Sequence, residues 1–245
     1  QMKQTMSDGI KGEQLNILIG SRPFSKDEGA DKVKLNIMKI LNEKYGIVEG
    51  DFLSAELELV PAFKARDIGL DRSLIGAYGH DDKVCAYPAA QAIFDVVDPE
   101  YTCLTVLADK EETGSDGNTG LHSSYMKYFI SDLAVMENVE PWRVMSASEC
   151  LSADVNAAYD PNFLEVSERK NSSFVNNGVV ITKYTGARGK GGTSDASAEY
   201  MGKIRRMLNA NDVVWQIGEL GKVDAGGGGT VAMYVANLDI DTIDL

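Results

Sequence analysis

From residue 81 to residue 244, short apolar runs alternate with stretches that carry apolar residues at helical spacing. No other feature constrains the fold as strongly. Strands are expected at 102–107, 143–145, 178–184, 213–217 and 240–244. Helices are expected at 87–97 (with Pro88 in the first turn), 120–136, 195–208 and 229–237. Strands alternating with helices specify an α/β layer fold, a central and mostly parallel sheet flanked by helices. Ahead of it, residues 31–45 place Val33, Ile37, Ile40 and Leu41 on one helical face, and Gly46 supplies the stop. Residues 56–78 alternate irregularly around Pro61, Gly69 and Gly76, which reads as strands and turns of a small β-rich module. No internal repeat is visible.

The bulk numbers narrow the function. With 245 residues the chain is long enough for one large domain or two modest ones. The net charge of −13 repels phosphate backbones, which argues against a nucleic-acid partner. Cys85, Cys103 and Cys150 are odd in number and form no CxxC pair. A disulfide framework or a thiolate zinc site is therefore not expected, and a reducing, cytoplasmic setting fits. No apolar run approaches the roughly 18 residues that span a bilayer, so no membrane segment is expected, and no signal peptide is visible. The sequence opens at Gln1 without an initiator Met and closes at Leu245 directly after an expected strand. These ends read as those of an excerpt from a longer polypeptide.

Three acidic clusters sit beside expected strand ends. They are Asp81 and Asp82 behind His80, then Asp109 with Glu111 and Glu112, then Asp154. In open α/β sheets ligands bind outside the carboxyl ends of strands. Like charges held close raise each other's pKa, and a divalent cation removes that cost. A two-metal hydrolase uses such carboxylates, one of them bridging the ions and another serving as general base. An adjacent Glu pair suits a division between ligand and base, provided a loop lets both face one way; Gly114 and Gly117 supply one. Each pair taken alone also suits a solvated turn or a helix N-terminus.

The runs LIGAYGHDDKVC at 74–85, DKEETGS at 109–115, SAD at 152–154, TKYTGARGK at 182–190 and GELGKVD at 218–224 resemble, in order, the signature segments of the aspartyl aminopeptidase family. The resemblance implies a zinc-peptidase core at 78–245, incomplete at its C-terminal end, with residues 1–77 forming part of an inserted β-rich dimerisation domain. It implies two Zn2+ per site, with Mn2+ or Co2+ also accepted, held by Asp81 (bridging), Glu112 and Asp154. Glu111 would be the general base, and Asp82 would stand behind Asp81 after a strained peptide bond. It further implies peptide substrates with acidic N-terminal residues and a homo-oligomer built from dimers, typically a tetrahedral dodecamer. Val48, Phe52 and Leu57 would be dimer contacts or core.

One departure stands out. Such a site also takes one histidine per metal, and neither His80 nor His122 matches those positions, so weakened metal affinity and little or no turnover are expected from this polypeptide alone. The glycine-rich stretch 186–193 fails the GxxxxGK phosphate-loop spacing, because Tyr184 and Gly191 stand where Gly and Ser or Thr are needed. Residues 226–229 lack GxGxxG. Arg188 or Lys190 would pair with an acidic substrate side chain, and Asp224 with its amine. The rival readings are a related tetrahedral aminopeptidase of other specificity, and a non-catalytic assembly subunit that holds metal through its carboxylates.

Overall fold

The computed structural model describes residues 9–25, 29–184, 194–222, 224–225 and 227–245. It divides into two compact units, Gln1–Ala62 and Phe63–Leu245.

The first unit is built on helix α1 (Lys32–Tyr45), which ends where the sequence indicated. Gly46 adopts φ 73° and its amide returns to the Asn42 carbonyl, a left-handed cap that glycine takes without a Cβ penalty. Lys34 pairs with Glu49. No strand lies among the described residues of this unit. Within the stretch 56–78 expected to hold strands and turns lies one hairpin, part of the second unit, β1 (Arg66–Ile68) antiparallel to β2 (Leu74–Gly76). The irregular alternation over 56–78 comes from extended coil followed by that hairpin.

Helix α2 (His80–Asp95) follows the hairpin and starts well before the expected residue 87, so Pro88 lies inside it. Its first turn is interrupted at Asp81 (φ −84°, ψ 110°) and Asp82 (φ −120°, ψ 41°), joined by a cis peptide bond. Residues 102–107 carry no paired strand. Helix α3 (Tyr125–Met136) and helix α4 (Pro141–Ser146) come next, then β3 (Glu149–Ser152). Residues 143–145, expected as a strand, belong to α4; Pro141 opens that helix, at the position where proline's missing N–H costs nothing. The remaining elements are β4 (Val179–Ile181), α5 (Ala198–Ala210), β5 (Trp215–Ile217), α6 (Ala232–Ala236) and β6 (Asp241–Asp244).

Both longer-range strand pairs are parallel, β3 with β6 in register Glu149↔Asp241 to Ser152↔Asp244, and β4 with β5 from Val179↔Trp215 to Ile181↔Ile217. One bridge, Thr182 N–H to Asp244 O at 3.0 Å, joins the carboxyl ends of β4 and β6. Helix α5 covers these strands. Ser197 caps it by accepting from the Tyr200 amide at 3.1 Å, and Tyr200, Ile204 and Leu208, spaced four apart, are its buried residues. They pack with Ala196, Ile181 and Ile243. A second cluster joins Met145, Val235 and Ile240, with Leu121, Met126 and Ile130 against it. No helix among the described residues is long and apolar enough to cross a membrane.

Two glycines separate backbone need from chance. Gly178 has φ 85°, and a Cβ there would lie 2.1 Å from the Val214 carbonyl oxygen. Gly202, inside α5, would place a Cβ 3.4 Å from the Arg206 guanidinium, which can move. Gly178→Ala is expected to lower stability by about 2–3 kcal/mol, and Gly202→Ala to raise it by up to about 1 kcal/mol. Urea denaturation of the two variants checks both signs.

Candidate metal centre

Three peptide segments deliver the acidic side chains. Asp81 and Asp82 lie in the interrupted first turn of α2, where the break in helical geometry sets their directions. Glu111 and Glu112 sit in a short 3-10 turn, Glu111–Thr113, entered through Lys110 at φ 61° and left through Gly114 at φ 101°. Asp154 lies two residues beyond the carboxyl end of β3, the end at which α/β sheets place their ligands.

Asp81, Asp82 and Asp154 each offer an oxygen within 4.8 Å of the others. Asp82 Oδ1 is buried and has no hydrogen-bond partner. Asp154 Oδ1 accepts from the Val155 amide at 2.7 Å. Burial, and then the charges of Glu111, Asp82 and Asp81, push the Asp154 carboxyl from 3.8 up to about 6, against the lowering effect of that amide. Burial also raises Glu111, followed by the charges of Glu112, Asp81 and Asp82. Glu111 is thus electrostatically within the cluster. Glu112 is exposed and falls outside the group of three that shares the 4.8 Å spacing. Cys85, one turn along α2, is pushed up to about 12 by burial and by Asp82.

A divalent cation fits these residues. Three converging carboxylates and an orphaned buried oxygen are costly to hold without one, and oxygen donors suit zinc in company with imidazole, or manganese. No histidine belongs to the cluster. His80 is half-buried just ahead of Asp81, and His122 pairs with Asp116 on the exposed side of the glutamate loop.

Asp154 also lines a shallow cleft together with Asn156, Thr182, Leu220, Thr230 and Asp244, among others. Asp244 is buried. Thr230 donates to its Oδ1 at 2.8 Å and Ser194 to its Oδ2 at 3.2 Å. Burial raises its carboxyl while the hydroxyls work the other way. Thr182 and Asp244 end β4 and β6, so the strand-end rule that singled out Asp154 applies to them equally. Of the expected substrate contacts, Asp224 is exposed at φ 67° and is not part of the cleft lining. Arg188 and Lys190 lie outside the described residues.

The raised Asp154 carboxyl has a thermodynamic sign. The folded protein binds that proton more tightly than the unfolded chain, so this contribution to stability is present at low pH and is lost as pH rises from about 4 to about 6. In the metal-free protein, the thermal midpoint is expected to fall across that window. Asp154→Asn removes part of the slope and raises the metal-free midpoint at pH 7. Added zinc raises the wild-type midpoint more at pH 7 than at pH 5, because it binds the ionised ligands. Differential scanning fluorimetry of both proteins, with and without metal, checks each expectation.

The family model for aminopeptidase I zinc metalloproteases (M18) matches residues 2–245. A probable M18 family aminopeptidase 1 of Clostridium acetobutylicum is 48% identical over 248 residues, which cover 100% of this chain and 53% of that protein. Its counterpart in Thermotoga maritima is 44% identical over 245 residues, 98% of this chain and 54% of its own length. The crystal structure of the Thermotoga maritima M18 aminopeptidase superposes with a TM-score of 0.91 at 43% identity, covering 99% of this chain and 54% of that one. That of aminopeptidase I from Clostridium acetobutylicum gives 0.84 at 50%, covering 94% and 50%. The chain therefore spans about half the length of these relatives. An acidic cluster suited to a divalent ion, a parallel α/β frame and a match over residues 2–245 agree: the chain belongs to the M18 family of zinc metalloproteases.

Proposed function

We propose that this chain provides the carboxylate-bearing part of a two-metal aminopeptidase site, which removes Asp or Glu from peptide N-termini. The observation that carries the reading is the convergence of Asp81, Asp82 and Asp154 with Glu111 beside them, from segments distant in sequence. Asp81, Glu112 and Asp154 would hold the zinc ions, with Asp82 against Asp81. When bound, zinc polarises the scissile carbonyl and makes water acidic enough to attack near neutral pH.

Glu111 then takes the proton from the attacking water and returns it to the leaving amine. Its raised pKa suits a base that must also act as an acid. Preference for acidic residues is supported by the family resemblance over 182–190 and 218–224, with Arg188 or Lys190 as the cationic partner and Asp224 facing the amine. Residues 78–245 form the catalytic part in this reading, residues 1–77 contribute to dimerisation, and the protein works as a cytoplasmic homo-oligomer, up to a dodecamer.

The test is hydrolysis of a panel of aminoacyl anilides by this chain joined to segments that supply the two metal-binding histidines, with zinc present and after chelation. Aspartyl and glutamyl substrates are expected to be cleaved fastest, with activity lost to the chelator. Glu111→Gln is expected to lower kcat by about 10²- to 10⁴-fold with zinc content unchanged. Faster turnover of leucyl substrates would favour the related aminopeptidase of other specificity. Zinc binding without hydrolysis in either form would favour the assembly subunit.

A further inference from the structure

His122 is one of the two histidines in the sequence, and the proposed chemistry does not use it. Its surroundings give it a purpose. Glu111 and Glu112 ride on a turn that closes on itself: the amides of Thr113 and Ser115 return to the Lys110 carbonyl at 3.3 and 2.8 Å. Both ends of that turn are then fastened to one short segment downstream. The Asp109 amide donates to the Thr119 carbonyl at 3.2 Å, and the His122 amide donates to the Ser115 carbonyl at 3.2 Å. The Thr119 hydroxyl adds a bond of 3.0 Å to Asp109 Oδ2.

Ser115 is the hub, 3% exposed and at φ 60°. Gly120 lies so close over it that a Cβ there would sit 2.1 Å from the Ser115 carbonyl oxygen. The turn can thus be no better placed than the segment 119–122 packed against it.

Two side chains fix that segment to the body of the fold. Leu121 packs against the cluster of Met145, Val235 and Ile240. The His122 ring stacks on Tyr234 of α6, with centroids 4.8 Å apart and planes 26° from parallel. His122 Nδ1 also lies 2.9 Å from Asp116 Oδ1, an exposed contact that ties the ring to its own loop. A stacked ring resists sliding and tilting in a way that one exposed hydrogen bond does not.

We propose that His122 is a positioning residue: stacked on Tyr234 and bonded to Asp116, it ties the 109–122 loop to α6 and so sets where Glu111 stands relative to Asp81 and Asp154. The inference rests on Glu111 being the general base. Misplacement of a base by about 1 Å is enough to slow a reaction up to a hundredfold without weakening substrate binding.

The experiment compares wild type with His122→Ala, His122→Phe (ring kept, hydrogen bond lost) and Tyr234→Leu (stack lost) in the zinc-loaded protein. Thermal midpoints are measured alongside, and amide exchange is followed at residues 109–122. His122→Ala and Tyr234→Leu are expected to lower kcat about tenfold with KM within about twofold, and to speed exchange at 111–115. His122→Phe is expected to fall between them and wild type. Unchanged kcat and unchanged exchange in both His122→Ala and Tyr234→Leu would overturn the proposal. So would a kcat loss matched in all three variants by a common fall in midpoint with no local change in exchange. If wild type shows no chelator-sensitive hydrolysis, the outcome expected of this polypeptide alone without the two metal-binding histidines, exchange decides: faster exchange confined to 109–122 in His122→Ala and Tyr234→Leu supports the latch, and unchanged exchange overturns it.

Discussion

Repulsion among neighbouring carboxylates is the constraint to which the rest of the second unit answers. The charges of Asp81 and Asp82 help to raise the carboxyls of Asp154 and Glu111, and a pair of like charges about 5 Å apart repels by on the order of 1–3 kcal/mol at effective dielectric values between protein and water. No local preference brings such groups together. They are held there by backbone anchored elsewhere, and a divalent ion converts the repulsion into binding energy.

The anchoring has two parts. Ile181 and Ile243, both fully buried, lock the carboxyl ends of β4 and β6 beneath α5, and the β3–β6 register then fixes the exit point of the segment that carries Asp154. The second apolar cluster holds α6 and Leu121, and through them the loop that carries Glu111. The acidic site is thus anchored by two small apolar clusters rather than by its own residues. Such a division is common where function demands groups that fold badly together.

Much of this was legible in the sequence. The helix expected over 195–208 overlaps α5 (Ala198–Ala210), and Gly46 announced the end of α1. The acidic clusters were visible as pairs beside apolar runs, and ordered resemblance to a peptidase family selected metal chemistry over solvated turns. Local pattern misled where tertiary context decides the state. Arg143, Val144 and Met145 read as a strand, yet Pro141 starts a helix that includes them, because a short apolar run has no period of its own. Residues 102–107 read as a strand, but a ladder requires a neighbour and none is paired to them. Asp244, Thr182 and Thr230 escaped notice because isolated polar residues at strand ends look like ordinary turn residues until the strands are set side by side.

By itself, the sequence determined the family, the alternating α/β layers and the identity of the acidic residues, because these depend on residue type and short-range periodicity. Only the tertiary structure decided which carboxylates share one small volume. It drew Asp82 in beside Asp81 and Asp154, left Glu112 at the margin, and gave His122 a ring to rest on. Separations across the fold depend on strand register and on loop closure between residues far apart in the chain, and no local pattern encodes them.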